Sequence, residues 1–123
     1  LTASHYQLVN LIAIVDRNTL QITGRTCDVC NTEPLQEKFC AFGWEVQTVD
    51  GHDVEALTKI LGEVPFTRNK PSMILADTVK GKGVPFMENV AKWHHGVPDD
   101  VQFAEAIQAL ERAESELSAQ LVL

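Results

Sequence analysis

NLIAIVDRNTLQITGRT, residues 10–26, decides the fold. Residues 11–15 are apolar at odd and even positions alike. A strand with one wet face alternates. One that is apolar at both parities has both faces covered, as in a parallel sheet flanked by helices. Asp16-Arg17-Asn18 ends the run too soon for a helix. The strand reads as central, so strands encoded upstream are expected to pair with it or near it, and upstream helices to cover it. With only the strands that these 123 residues encode, one flank of the sheet is expected to be an exposed apolar edge.

Upstream, residues 1–9 read as the last turns of a helix. Downstream, residues 19–33 read as a long irregular connection containing Gly24. Pro34 suits the first position of a helix, with Thr32 as its cap. Leu35, Phe39 and Phe42 form the apolar stripe of that helix, and Gly43 ends it. Residues 44–50 (WEVQTVD) have strand composition. Gly51 turns the chain, Asp53 caps, and Val54, Leu57, Ile60 and Leu61 fall at helical spacing. Residues 71–79 (PSMILADTV) form a third strand, and residues 80–98 a glycine-bearing loop. Asp99 or Asp100 then caps a long helix with Phe103, Ile107, Leu110, Leu117 and Leu121 on one side. Helices and strands alternate, which predicts an α/β fold: part of a doubly wound parallel sheet, three strands with flanking helices. Ligands bind such sheets outside the carboxyl ends of the strands. Those ends carry Asp16-Arg17-Asn18, Asp50-Gly51-His52 and Thr78-Val79-Lys80-Gly81.

Composition sets bounds. Hydrophobic residues make up 45% and charged residues 22% of the chain, an ordinary globular balance. The formal net charge of -7 repels phosphate backbones, so no nucleic-acid partner is expected. No apolar run is long enough to cross a membrane, and no secretory signal opens the chain. Three cysteines in an acidic chain point to reduced thiols and a cytoplasmic setting.

Three clusters carry chemistry. Asp16 and Asn18 offer hard oxygens at the binding edge, the type that Mg²⁺ or Ca²⁺ takes; the same residues also simply make turns. Lys80-Gly81-Lys82-Gly83 can bring backbone and ammonium close to an anion, or can be a basic surface turn. It is not a phosphate-binding loop of the nucleotide-hydrolysing kind. Trp93-His94-His95-Gly96 offers imidazoles whose proton exchanges near neutral pH. Cys27 and Cys30 have redox or zinc spacing, but lack the strand–helix context of the first and the further ligands of the second. His52 reads as a turn residue and His5 as a helix-surface residue.

These clusters carry a resemblance. Residues 10–26 resemble the segment that closes the thiamine diphosphate motif of transketolases, which begins with Gly-Asp-Gly and ends in an Asn after a buried strand. FGWEVQTVDGHDVEAL, residues 42–57, resembles the next strand and helix. ILADTVKGKGVPFMENVAKWHHGVP, residues 74–98, resembles the third strand and the loop that returns to the cofactor. The resemblance covers residues 1–98, with the long helix as its continuation. It implies that Asn18 gives a side-chain oxygen and Leu20 a backbone carbonyl to Mg²⁺ (or Ca²⁺), and that Lys80 lies beside thiamine diphosphate, with Lys82 solvated. A family Trp-His-Gly places one histidine near the diphosphate and the substrate. Counting from Lys80 selects His94, which we prefer; counting by the His-Gly dipeptide selects His95.

The expected activity is transfer of a two-carbon ketol unit between sugar phosphates. Its partners would be a pyrimidine-binding domain or subunit, which supplies the activating glutamate, in a homodimer or heterotetramer. Only 17 residues precede Asn18, so the Gly-Asp-Gly is expected to lie outside the chain. Residues 1–123 are accordingly expected to be a partial thiamine-diphosphate-binding domain, without its N-terminal half and inactive alone. Other expectations are a dihydroxyacetone or deoxyxylulose-phosphate synthase, or a non-catalytic, truncated α/β interaction module.

Overall fold

The computed structural model describes residues 1–120. The order is α1 (Thr2–His5), β1 (Ile12–Arg17), β2 (Leu20–Gln21), β3 (Gly24–Arg25), α2 (Thr26–Val29), α3 (Leu35–Ala41), β4 (Glu45–Asp50), α4 (Val54–Gly62), β5 (Ser72–Asp77), a 3-10 turn (Ala91–His94) and α5 (Asp100–Gln120). The chain divides into two units. One comprises Leu1–Thr19 and Thr26–Thr78; the other comprises Leu20–Arg25 and the chain from Val79 onward.

The first unit is built on a three-stranded sheet in the order β1-β5-β4, parallel throughout. The strand encoded last is therefore central. Ser72, Met73, Ile74, Leu75 and Ala76 of β5 are all buried, so both faces of that strand are covered. On one face Met73 and Leu75 pack with Trp44 and Val46, and Ala3, Ala13, Val15, Leu35 and Phe39 close over them. Each such aliphatic side chain contributes about 1.5–3 kcal/mol on full burial. The buried Ser72 hydroxyl is satisfied by accepting the Phe66 N–H at 3.1 Å. On β4, α4 buries Ile60.

Among the described residues β1 forms the exposed apolar edge expected when only these strands are present. β1 pairs with β5 alone and alternates, with Ile12 and Ile14 40% and 57% exposed while Ala13 and Val15 turn inward.

Local chemistry moves several boundaries. Residues 19–33 are not irregular: they hold the β2–β3 hairpin and the short α2. Thr32 does not cap α3; the Glu33 carboxylate accepts the Leu35 N–H at 3.0 Å, and Pro34 stands before the first helical residue. Trp44 precedes β4, and β5 ends at Asp77. Asp53 caps α4 as expected, accepting the Ala56 N–H at 2.9 Å.

In the second unit, α5 opens with a reciprocal box: Asp99 Oδ1 accepts the Gln102 N–H at 2.8 Å, and Gln102 Oε1 accepts the Asp99 N–H at 3.1 Å. The apolar side expected for this helix is present in sequence but open. Phe103, Leu110 and Leu117 are 59%, 46% and 61% exposed. Leu121 lies outside the described residues.

Candidate functional site at the strand ends

The three strands point the same way. Arg17 stands opposite Asp77 in the β1–β5 ladder, and Asp50 opposite Asp77 in the β4–β5 ladder. The chain therefore leaves the sheet at one end after each strand, the end where such folds bind ligands.

Two cross-strand ties close this edge. The Arg17 guanidinium forks onto Asp77, with Nε to Oδ1 at 2.5 Å and Nη2 to Oδ2 at 3.0 Å. Glu33 adds a second carboxylate 3.7 Å from Nη1. The hydrogen bond that Arg17 donates to Asp77 holds the Arg17 pKa above its already high ordinary value, so this cation is permanent. Beside it, the Thr78 hydroxyl donates to Asp16 Oδ1. On the other flank the β4 end is drawn against β5. The Gly51 N–H donates to the Asp77 carbonyl at 2.7 Å, and a Cβ on Gly51 would collide with Thr78 Cγ2. Any side chain there would force Thr78 to shift. Asp50 Oδ1 accepts the His52 N–H at 2.9 Å, the turn role read for these residues.

Asn18 follows this edge directly and is half-buried. Thr19 follows with φ +64°, in the left-handed region that a β-branched residue rarely enters. Its carbonyl accepts both the N–H of Thr26, at 2.9 Å, and the Thr26 hydroxyl, at 3.3 Å. The backbone between the two expected metal oxygens, Asn18 and Leu20, is thus held in a costly conformation by a named partner.

The second unit carries the other expected residues. Leu20 opens the hairpin, and the hairpin strand β2 packs against the 3-10 turn that ends in His94. The Lys80 carbonyl accepts the Asn89 N–H at 2.9 Å, which closes residues 80–89 into a compact loop. Gly81 turns that loop at φ +75°; a Cβ there would meet the Met87 carbonyl oxygen at 2.7 Å. Lys82 is more than half exposed and lies 3.9 Å from Glu88 Oε1. Trp93 is the anchor of the next segment. Its indole N–H donates to the Phe86 carbonyl at 3.1 Å, and its ring meets Phe86 edge to face at 5.4 Å. His94 and His95 are both exposed, their rings 5.8 Å apart, so geometry does not choose between them. Asn18 belongs to one unit and Leu20, Lys80 and His94 to the other.

The donor chemistry fits a hard divalent cation in part. Asn18 and Leu20 offer two neutral oxygens. The carboxylates of Asp16 and Asp77 at the same edge are engaged by Thr78 and Arg17. Charge for such a cation would have to come from a diphosphate and from a further carboxylate. Among the described residues no group of three or more His, Cys, Asp or Glu side chains is placed to hold a metal. Cys27, Cys30 and Cys40 are free, exposed thiols. Clefts open among the described residues of the first unit. One, of about 440 Å³, is lined by Arg17, Glu33, Pro34, Gln36, Glu37 and Cys40. Another, of about 330 Å³, is mostly apolar and lined by Leu35, Phe39 and Phe42 with their neighbours. Asn18 lines neither.

Sequence reading missed the Arg17–Asp77 and Asp16–Thr78 ties and the Thr19 conformation. Polar residues ending apolar strands were the available signal, but which strands are neighbours was not readable.

Comparison with known proteins identifies the family. Residues 1–115 match the family model described as transketolase, thiamine diphosphate binding domain. One of the subunits of the apulose-4-phosphate transketolase of Phocaeicola vulgatus is 42% identical over 108 residues, 88% of this chain and 38% of that protein. A 6-deoxy-6-sulfo-D-fructose transketolase subunit of a Clostridium species is 38% identical over 106 residues, 86% of this chain and 38% of that protein. Among solved structures, the transketolase from Leishmania mexicana superposes with a TM-score of 0.69 at 29% identity, over 96% of this chain and 21% of that one. The chain spans about two fifths of the length of these subunit relatives. No described helix is long and apolar enough to cross a membrane. With its parallel sheet, its strand-end residues and this match over most of its length, the chain belongs to the transketolase family, within the thiamine-diphosphate-binding domain.

Proposed function

We propose that this chain is part of a thiamine-diphosphate-dependent transketolase that moves a two-carbon ketol unit between sugar phosphates. The observation that carries the reading is the family match over residues 1–115. Relatives named as single subunits of a transketolase favour an arrangement in which a separate chain supplies the pyrimidine-binding half of the site. That half would provide the activating glutamate, in a heterotetramer or, on one polypeptide, a homodimer.

In this reading the Asn18 side chain and the Leu20 carbonyl would hold Mg²⁺ (or Ca²⁺), and Lys80 would lie beside thiamine diphosphate. When bound, thiamine diphosphate supplies the carbon nucleophile that takes up the ketol unit. The residues of this chain orient and stabilise it. His94, or His95 in its place, holds a proton near the diphosphate and the substrate oxygens. Asn18 and Leu20 bring no charge, so the 123 residues alone would hold the metal weakly and show no turnover.

The test is calorimetric titration of thiamine diphosphate with and without Mg²⁺, followed by a coupled ketol-transfer assay with the partner half present. Binding that requires Mg²⁺, and transfer from a ketose phosphate, are expected. His94→Ala should lower kcat/KM by about 10²-fold or more, and His95→Ala by less. No binding with the partner present would overturn the cofactor reading. Transfer from a sulfonated ketose only would overturn the sugar-phosphate assignment.

A further inference from the structure

The residues assigned above to the metal and the diphosphate do not stand on the sheet. They follow it, Asn18 one residue after β1 and Lys80 three residues after β5. Where those oxygens and that loop begin depends on how the two strand ends are fixed. A parallel ladder at its last rung is held by slanted backbone bonds alone, and strand ends fray.

Here two side-chain ties hold it. Arg17 and Asp77 are the last residues of β1 and β5 and lie opposite each other. They are joined by a two-pronged, charge-assisted contact at 2.5 and 3.0 Å, the strong kind of ion pair because the planar fork fixes direction as well as distance. Asp16 and Thr78, one residue before and one after that pair, add the second tie. Glu33, just before α3, approaches Arg17 from a third segment. An exposed ion pair adds little to stability, about 0–1 kcal/mol. Four side chains gathered on the last two rungs of the β1–β5 ladder and at the residue just past β5 are thus poorly explained by stability alone. Immediately beyond it, Thr19 keeps a left-handed φ of +64° under two hydrogen bonds from Thr26. Strain of that kind persists where the surroundings over-determine it.

We propose that Arg17 and Asp77, seconded by Asp16 and Thr78, are positioning residues that fix the end of β1 so that Asn18 meets the cofactor's metal. The proposal rests on the cofactor reading above. Arg17 and Asp77 do not touch the metal; they act through the backbone. Removing a partner of this kind, one layer behind a ligand, typically weakens metal affinity about 10–100-fold.

The experiment uses the intact protein with its partner half. Thiamine diphosphate affinity is titrated at several Mg²⁺ concentrations, and thermal unfolding is recorded without cofactor. The variants are Asp77→Ala, Arg17→Lys, and the exchange Arg17→Asp with Asp77→Arg. Asp77→Ala is expected to weaken Mg²⁺-dependent binding about 10-fold or more, with a loss that narrows as Mg²⁺ is raised. The cofactor-free unfolding midpoint should move little. Arg17→Lys keeps the charge and loses the fork, so it should fall between, and the exchange should recover most of the affinity. Asp77→Ala binding like the unaltered protein would overturn the positioning role alone. A loss that tracks the unfolding midpoint and is not recovered by the exchange would also overturn it, as a structural effect. An unaltered protein that binds no thiamine diphosphate would overturn the cofactor reading, and this proposal with it.

Discussion

Thr19 is where backbone preference and local hydrogen bonding pull in opposite directions. The left-handed region costs an L residue roughly 1–2 kcal/mol, and a β-branched side chain makes it worse. Glycine enters it freely but loses about 0.5–1 kcal/mol through its larger unfolded-state freedom. The first figure exceeds the second, so Thr19→Gly should stabilise the protein, by up to about 1 kcal/mol. The hydrogen bonds from Thr26 end on the Thr19 backbone carbonyl and survive the change. Denaturant unfolding of the two proteins measures the difference. A glycine variant that is clearly less stable would show that the threonine side chain makes contacts outweighing the strain. The sequence did not disclose this conformation, because a threonine after Asp-Arg-Asn reads as ordinary loop. Asn18 and Leu20 were named from a resemblance. The Arg17–Asp77 tie could not be named at all, since residues 60 apart meet only once the strand order is known. What was legible at this scale was chemical type at strand ends; what was not was pairing.

The elements were more legible, because hydrophobic period and capping are local. Three strands and the helices α3, α4 and α5 lie where the apolar spacing put them, within a few residues. The misses share a cause. Thr32 was read as a cap because its type suits one, yet Glu33 reaches the free N–H first. The β2–β3 hairpin has only two residues per strand, too few for alternation to register. The start of α5 is the best-specified junction. Asp99 and Gln102 satisfy each other's backbone N–H groups reciprocally, and the Asp99 carbonyl takes the Phe103 N–H at 2.8 Å. Replacing such a cap by alanine costs roughly 0.5–2 kcal/mol. Asp99→Ala should therefore fray the first turn of α5 and lower stability by about 1 kcal/mol, whereas Asp100→Ala, which leaves the reciprocal box intact, should cost less. Helical content by circular dichroism, followed through a thermal ramp, separates the two. Equal effects would mean that charge at the helix start, not the reciprocal box, sets the end of the helix.

At the scale of the molecule, the two units differ in what can hold them. Every buried residue among those described, from Trp44 to Ala76, belongs to the first unit. The second has a closed glycine loop, the Phe86–Trp93 pair and a capped helix, but no described residue in it is buried. Leu110 approaches the loop at Gly83, where a Cβ would lie 3.4 Å from its Cδ2, and is still 46% exposed. A domain's net stability is only about 5–15 kcal/mol, and each side chain left uncovered forgoes about 1.5–3 kcal/mol. Phe103, Ile107, Leu110 and Leu117, together with Ile12 and Ile14 on the β1 edge, are uncovered to 39% or more. The 123 residues expressed alone should therefore associate through these surfaces, and local opening should be easiest in the second unit. Amide hydrogen exchange gives the expected pattern. Amides of β5 should be protected longest and those of the Lys80 loop and the 3-10 turn should exchange early; on the proposed cofactor reading, thiamine diphosphate with Mg²⁺ and the partner half should slow the second set selectively. Size-exclusion chromatography of the isolated chain is the companion measurement. A monomer that unfolds cooperatively, with the Lys80 loop as well protected as β5, would mean that the second unit stabilises itself without a buried core and that the exposed apolar residues need no cover.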